Sequence, residues 1–332
     1  MTNSVLVTGL GVISGSGINI PEFWGALASG HTSIGAISDN FKSLNITKAA
    51  QIRDYSPENY FQSSEITLLD RFSQYSIVAA REAVQDALLL NNDNIFKNAA
   101  CIIGTGCGGK YTDEDTYYRL YKENKSRVHP LTIPKGMPSA AASMVSKEFK
   151  IKGPVFSITS ACASAAHAVI QGSILIQNGL VDVALVGGVD APFTYGLLKS
   201  WESLRVVSND TCRPFSKDRS GMVLGEGAGF LVLESDRHAH HRNKKCYAEL
   251  AGFGMSSDAG HITRPDVNGI AAAMVSALRS AKISPKDIDY INAHGTGTIA
   301  NDIAETYAIH QVFGKHAEKL AVTSTKSMHG HA

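Results

Sequence analysis

The chain has 332 residues, of which 44% are hydrophobic and 18% charged, and its 31 basic and 30 acidic side chains leave a formal charge of +1. These values describe a globular protein of one large domain or two ordinary ones and exclude a disordered chain, a coiled coil and a charge-driven nucleic-acid binder. The N-terminus has no basic run ahead of an apolar core and no stretch approaches the roughly 20 apolar residues that span a bilayer, so a cytoplasmic protein without membrane insertion is expected.

Short β-branched runs alternate with longer helical patterns. Strands are predicted at 4–8, 99–104, 155–160, 181–187, 229–234, 247–254, 289–293 and 320–324, and helices at 21–29, 70–89, 138–149, 163–178, 269–281 and 302–313. This alternation predicts parallel sheets with crossover helices. Apolar residues spaced three and four apart in 71–89 and 270–278 predict helices that each cover a sheet face. Two polar, irregular stretches at 37–67 and 107–138 suit an entrance, a lid or a subunit contact, and equally a solvated excursion. The His/Arg/Lys-rich run 237–245 reads as a solvated turn between a first part, 1–240, and a second, 241–332.

Five cysteines, at 101, 107, 162, 212 and 246, form no CxxC pair, so their spacing suggests neither a disulfide framework nor a metal site. Cys162 is the one with a chemical context. An apolar run ending in Ser160 turns without a spacer into an Ala-rich helix, which aims the sulfur at the positive end of a helix dipole and favours thiolate. A lone cysteine in apolar surroundings is ordinarily a small buried hydrophobe, but small residues at a helix start also let a substrate backbone approach closely.

Two later motifs favour the nucleophile. Asn292-Ala293-His294-Gly295-Thr296-Gly297-Thr298 puts a histidine at the end of a strand, where parallel α/β sheets bind ligands, and follows it with a glycine-rich loop bearing two hydroxyls. Lys326-Ser327-Met328-His329-Gly330-His331 supplies a fixed positive charge and a second imidazole after another strand. The glycine-punctuated segment 212–229 lacks the Gly-Lys-Ser/Thr ending of a phosphate loop and reads as structural support near the site.

Taken together, Cys162, His294, Lys326 and His331 in these motifs resemble the Cys-His-Lys-His set of the β-ketoacyl-ACP synthases. The likeness runs from Thr8-Gly9-Leu10-Gly11 through Arg213-Pro214-Phe215 and Gly225-Glu226-Gly227-Ala228-Gly229 to the last residue. It is nearer the elongating condensing enzymes than the acetyl-CoA-primed type, and Ala300-Asn301-Asp302 with His329-Gly330-His331-Ala332 is similar to the nodulation-type branch.

The resemblance implies a thiolase-like five-layer α-β-α-β-α sandwich of two similar halves, assembled as a homodimer. Cys162 would take an acyl chain from an acyl carrier protein as a thioester. His294 and His331 would assist decarboxylation of malonyl carrier by hydrogen-bonding the enolate, with Lys326 adding positive charge and Glu305 orienting Lys326 or nearby backbone. Thr296 and Thr298 would hold the carrier's phosphopantetheine arm, and no separate cofactor or metal is implied. Cys107 falls where the family sets acyl-pocket depth with a larger aliphatic residue, so longer or bulkier acyl groups are expected. Relatives continue beyond the Gly-His motif, so the second half is expected to be incomplete. The chain then lacks its last two strands and a loop donating one of two oxyanion-hole N–H groups, a loss of about 10²–10³ in rate, and is expected to be weak or inactive alone. Two other readings remain: a thiolase-type CoA condensing enzyme, although no cysteine follows Cys246, and a noncatalytic partner subunit of the chain-length-factor kind.

Overall fold

The computed structural model describes residues 3–90 and 93–332. In chain order its principal elements are β1 (Val5–Ser14), α1 (Ile20–Ala28), α2 (Arg71–Asp86), β2 (Ala100–Gly104), α3 (Lys110–Tyr121), α4 (Thr132–Gly136), α5 (Ala140–Phe149), β3 (Val155–Ile158), α6 (Ser164–Gln177), β4 (Val183–Asp190) and α7 (Tyr195–Leu204). There follow β5 (Gly227–Ser235), α8 (Asp236–His241), β6 (Ala248–Glu249), α9 (Val267–Ala281), β7 (Tyr290–Asn292), α10 (Ile299–Phe313), β8 (Ala321–Thr323) and α11 (Lys326–His329).

The main sheet has the order β3-β2-β4-β5-β1-β6. It is mixed, not parallel throughout as the alternation predicts. β2 runs parallel to β3 and β4, whereas β4 with β5, β5 with β1 and β1 with β6 are antiparallel. The expected strand at 247–254 shrinks to β6, two residues paired with Leu6 and Val7 at the sheet edge. A second sheet pairs β8 with β7 in parallel.

Strand alternation explains the layers. Cys101 and Ile103 of β2 face a core built with Phe72, Tyr75, Ala79 and Ala83 of α2 and Val145 of α5, while Ala100 and Ile102 face Ala168 and Ile176 of α6. α2 begins at an N-cap in which the Asp70 carboxylate accepts from the Phe72 N–H at 3.2 Å. The Gly-Leu-Gly of β1 serves packing: a Cβ on Gly11 would lie 2.0 Å from the Ala79 carbonyl oxygen, so only glycine admits α2 at this separation. In the second half α9 and α10 pack on each other.

Three of these principal helices fall in stretches read from sequence as loops or turns, as does the single turn of helix at Ser63–Ile66. α3 and α4 lie within 107–138, and α3 buries none of its residues, so its Tyr/Asp/Glu/Arg sequence carries no apolar stripe to betray it. α8 replaces the solvated turn at 237–245. Its reason is a buried carboxylate: Glu234, wholly inaccessible at the end of β5, accepts from Thr8 Oγ1 at 2.6 Å and from Arg242 Nη2 at 2.8 Å and meets His238 Nδ1. Arg242 also donates to the Ala87 carbonyl at 2.8 Å, binding the end of α2 to the same cluster.

Although burial alone raises a carboxyl pKa, the hydrogen bonds of His238, Arg242 and Thr8 carry Glu234 down to about 2. The folded-state value is depressed, so the stabilisation is complete above the ordinary 4.5 and is lost as pH falls through about 2. We expect Glu234→Gln to lower stability by about 3 kcal/mol near neutral pH, because Arg242 loses its buried counter-charge. Urea unfolding of both proteins checks this, and the difference should shrink as the pH drops below 4.5; equal midpoints at neutral pH would refute it.

Candidate active site

The turn between β3 and α6 is an elbow. Ala161 adopts φ +51°, a left-handed conformation that a non-glycine residue holds only when its surroundings impose it. They do so through Ser164, whose hydroxyl accepts from the Ser160 N–H at 2.8 Å and donates to the Ala161 carbonyl at 2.6 Å. The helix start is pressed onto the strand ends. A Cβ on Gly104 would sit 2.2 Å from the Ser164 carbonyl carbon, and one on Gly188 2.4 Å from the Ala165 Cβ. Cys162 therefore stands at the rim of the main sheet.

The second-half strands bring the other groups. After β7, the Glu305 carboxylate on α10 accepts from the N–H groups of His294 at 2.7 Å and Gly295 at 2.8 Å. Of the two roles anticipated for Glu305, it orients backbone; its influence on Lys326 is electrostatic. Gly297 takes φ +76° and packs against Gly221 and Cys212 of the 212–229 segment. Asp302 ties that segment down by accepting from the Phe215 N–H at 2.8 Å, with the Arg219 guanidinium 3.6 Å away. The Thr296 and Thr298 hydroxyls lie 2.9 Å apart.

After β8, Lys326 opens α11 and His331 follows it. The His331 N–H donates to the Val223 carbonyl at 2.7 Å, and the Gly225 N–H donates to the His331 carbonyl at 2.8 Å. The glycine-rich block thus supports the site by clipping His331 in place. From the N-terminal part, the N–H and hydroxyl of Ser33 each donate to the Met328 carbonyl at 2.9 Å, a contact that no sequence motif signals.

The result is a convergent set. His331 Nε2 lies 3.0 Å from Cys162 Sγ, and the two imidazoles, His294 and His331, meet edge to face with centroids 5.5 Å apart. Cys162, His294, His331, Thr296, Thr298 and Asn301 share a cavity of about 590 Å³. A second, of about 250 Å³, opens from Cys162 past Ser164, Gly188 and Asp190.

The electrostatics differ from the sequence expectation at the nucleophile. The dipole argument favours thiolate, yet desolvation pushes the Cys162 thiol above its usual value, outweighing its own backbone N–H and Lys326, which pull it down. α6 begins two residues later, at Ser164, so the sulfur is not among its first-turn donors. Desolvation, assisted by Lys326, lowers His294 to about 3 and His331 to about 4, so both imidazoles are neutral at physiological pH. Burial also lowers Lys326, while Cys162 and Glu305 act in the opposite sense.

Cys107 lines neither cavity that opens on Cys162. It belongs to a turn held by Asp190, a residue the sequence reading missed because a single acid at a strand end has no distinguishing pattern. Asp190 accepts from Thr105 Oγ1 at 2.9 Å, the Gly106 N–H at 3.0 Å and the Cys107 N–H at 2.9 Å. Burial, with Asp190 nearby, pushes the Cys107 thiol up to about 12.

A thiol beside two neutral imidazoles and a half-buried lysine suits a thioester-forming condensing enzyme. Comparison with known proteins agrees: residues 2–239 match the Beta-ketoacyl synthase, N-terminal domain, and residues 247–332 the Beta-ketoacyl synthase, C-terminal domain. The chain belongs to the β-ketoacyl synthase family and is a condensing acyltransferase. It is 45% identical to Nodulation protein E of Rhizobium leguminosarum bv. trifolii over 332 residues, all of this chain and 82% of the relative. It is 38% identical to 3-oxoacyl-[acyl-carrier-protein] synthase 2 of Staphylococcus aureus (strain N315), with 98% of this chain and 81% of that protein covered. A solved type II PKS ketosynthase in complex with its acyl-carrier protein, AntDE:AntF, superposes with TM-score 0.90 at 31% identity, covering 100% of this chain and 83% of that one.

Two imidazoles held neutral to about 3 and about 4 predict a condensation rate with no acid limb near the ordinary histidine value of 6.5. We expect the rate to hold as pH falls from 8 to about 5 and to drop below that, as the imidazoles take up protons. A pH–rate profile checks this, and an inflection centred near 6.5 would count against it.

Proposed function

We propose that Cys162 is the acyl acceptor of a β-ketoacyl-[acyl-carrier-protein] synthase, and that the 3.0 Å contact between Cys162 Sγ and His331 Nε2 is the observation that carries this reading. The sulfur attacks the thioester of an acyl carrier protein; the acyl group moves to Cys162 and the carrier's phosphopantetheine thiol leaves with the proton. Malonyl carrier then enters through the larger cavity, where Thr296 and Thr298 bind the arm of either carrier. As carbon dioxide departs, negative charge collects on the thioester oxygen. N–H groups of neutral His294 and His331 donate to that oxygen, where desolvation strengthens each hydrogen bond. The carbanion attacks the acyl-Cys162 carbonyl, and the cysteine leaves as thiolate under the field of Lys326. No cofactor beyond the carrier's own arm enters these steps.

The three converging groups favour a catalyst over a noncatalytic partner subunit. Cys107 beside the elbow is proposed to set acyl-chain preference. One experiment addresses both cysteines: incubation with labelled acyl carriers of graded length, followed by mass analysis of the tryptic peptide. The chain should acquire one acyl group on Cys162, Cys162→Ala none, and Cys107→Ile a profile shifted to shorter chains. Label retained by Cys162→Ala would overturn the assignment, and an unchanged profile would remove Cys107 from it.

We further propose that the protein is a cytoplasmic homodimer. β3 is an edge strand with Phe156 exposed, and the nearby α3 and α4 expose Tyr117, Tyr121 and Ile133. A second copy pairing along β3 would continue the sheet and remove a free edge that otherwise invites aggregation. Sedimentation equilibrium should give twice the 35.4 kDa chain mass, reduced to one chain by Phe156→Lys; a monomer at all concentrations would refute the dimer.

A further inference from the structure

The spacing of the cysteines along the chain suggests no metal site, but the fold assembles one from residues far apart in sequence. The thiol of Cys162 and one ring nitrogen each of His294 and His331 all lie within 4.8 Å of one another. We propose that this triad binds a soft divalent cation, zinc being the type, and that the metal and the acyl group compete for Cys162.

The donor chemistry supports it. Cysteine sulfur and imidazole nitrogen are both donor types that zinc takes, and three protein ligands with a fourth position open to solvent is the arrangement of an accessible rather than a structural site. Zinc at about 2.3 Å from sulfur and about 2.0–2.1 Å from nitrogen holds its ligand atoms roughly 3.4–3.6 Å apart. The Cys162–His331 contact of 3.0 Å must open by about half an ångström, and the widest separation must close from at most 4.8 Å. Because Glu305 holds the His294 backbone, those changes would have to come from rotation of the side chains. The fourth position faces the cavity of about 590 Å³, with room for a water.

Charge sets the strength. Cys162 binds as thiolate, so each metal taken up releases one proton from the thiol. Lys326, which shares the site electrostatically with Cys162, opposes the incoming cation. The site is therefore one that a free metal occupies reversibly. Acylation converts the sulfur to a thioester, which has no thiolate to offer, so acyl-enzyme and metal-enzyme are mutually exclusive. That competition rests on the reading of Cys162 as acyl acceptor; metal binding itself does not.

Cobalt(II) serves as the spectroscopic probe for zinc. Titrated into the resting chain, it should give a thiolate-to-cobalt charge-transfer band that saturates at one equivalent and is displaced by zinc. Cys162→Ser should abolish the band, and His294→Ala or His331→Ala should weaken binding about 10-fold or more. The exposed Cys246 is the rival thiol. A band that survives Cys162→Ser, or one that vanishes in Cys246→Ser, overturns the proposal. Independently of any variant, zinc should slow iodoacetamide alkylation of Cys162 about 10-fold or more, with the rate restored by EDTA; no protection overturns it too. Cobalt binding that acyl carrier fails to displace would leave the metal site standing and overturn the competition.

Discussion

The contact of Cys162 with His331 joins residues 169 positions apart and depends on both halves of the fold at once. On one side the sulfur is fixed by close approach, since α6 can begin where it does only because Gly104 and Gly188 have no side chains. On the other side His331 is held by backbone hydrogen bonds to Val223 and Gly225. A Cβ on Gly225 would lie 2.4 Å from the His329 carbonyl oxygen, so the same absence of a side chain admits the second arm. Small residues at three seams bring rigid elements together, and the chemistry is placed where they meet.

This construction gives three acids near the site a common role. Glu305 and Asp302 both spend their oxygens on backbone N–H groups, fixing the loop from His294 to Gly297 and the turn at Phe215. Asp190 does the same for the turn at Cys107. The carboxylates thus act as fasteners for irregular backbone, which lacks a sheet or helix to satisfy its N–H groups. The larger cavity presents the imidazoles of His294 and His331 and the hydroxyls of Thr296 and Thr298, with Asp258, Arg205 and Arg264 also in its wall. N–H and O–H groups of this kind stabilise developing negative charge.

The sequence made the catalytic arms legible because their residues stand at strand ends, where strand periodicity and the following glycines mark the position. Cys162, His294 and His331 converge for that reason. It also made the helices α2 and α9 legible, since each carries an apolar stripe. What it hid follows a common physical rule: elements that bury little leave no pattern. α3 buries none of its side chains, and α7 buries only Leu198, so both passed as irregular chain. The mixed sheet was hidden differently. β1 and β5 have the same composition whether paired parallel or antiparallel, and only the fold decides direction. At Cys162 the local dipole argument considers the helix alone, whereas desolvation, a property of the assembled site, pushes the thiol the other way.

The raised thiol and depressed imidazoles belong to one design. Where a cysteine's pKa falls below that of its histidine partner, the two rest as thiolate and imidazolium, an ion pair suited to rapid attack. Desolvation here favours the uncharged pair, so in the proposed mechanism the imidazoles are neutral when the enolate forms. The same neutrality leaves their ring lone pairs unprotonated beside a thiol, which is what a soft cation seeks. Lys326 bears on both proposals: its charge would help the thiolate leave and would disfavour a metal in its place. On those readings the site is kept for acyl chemistry by an ammonium group and by acylation itself, not by the geometry of its three donors.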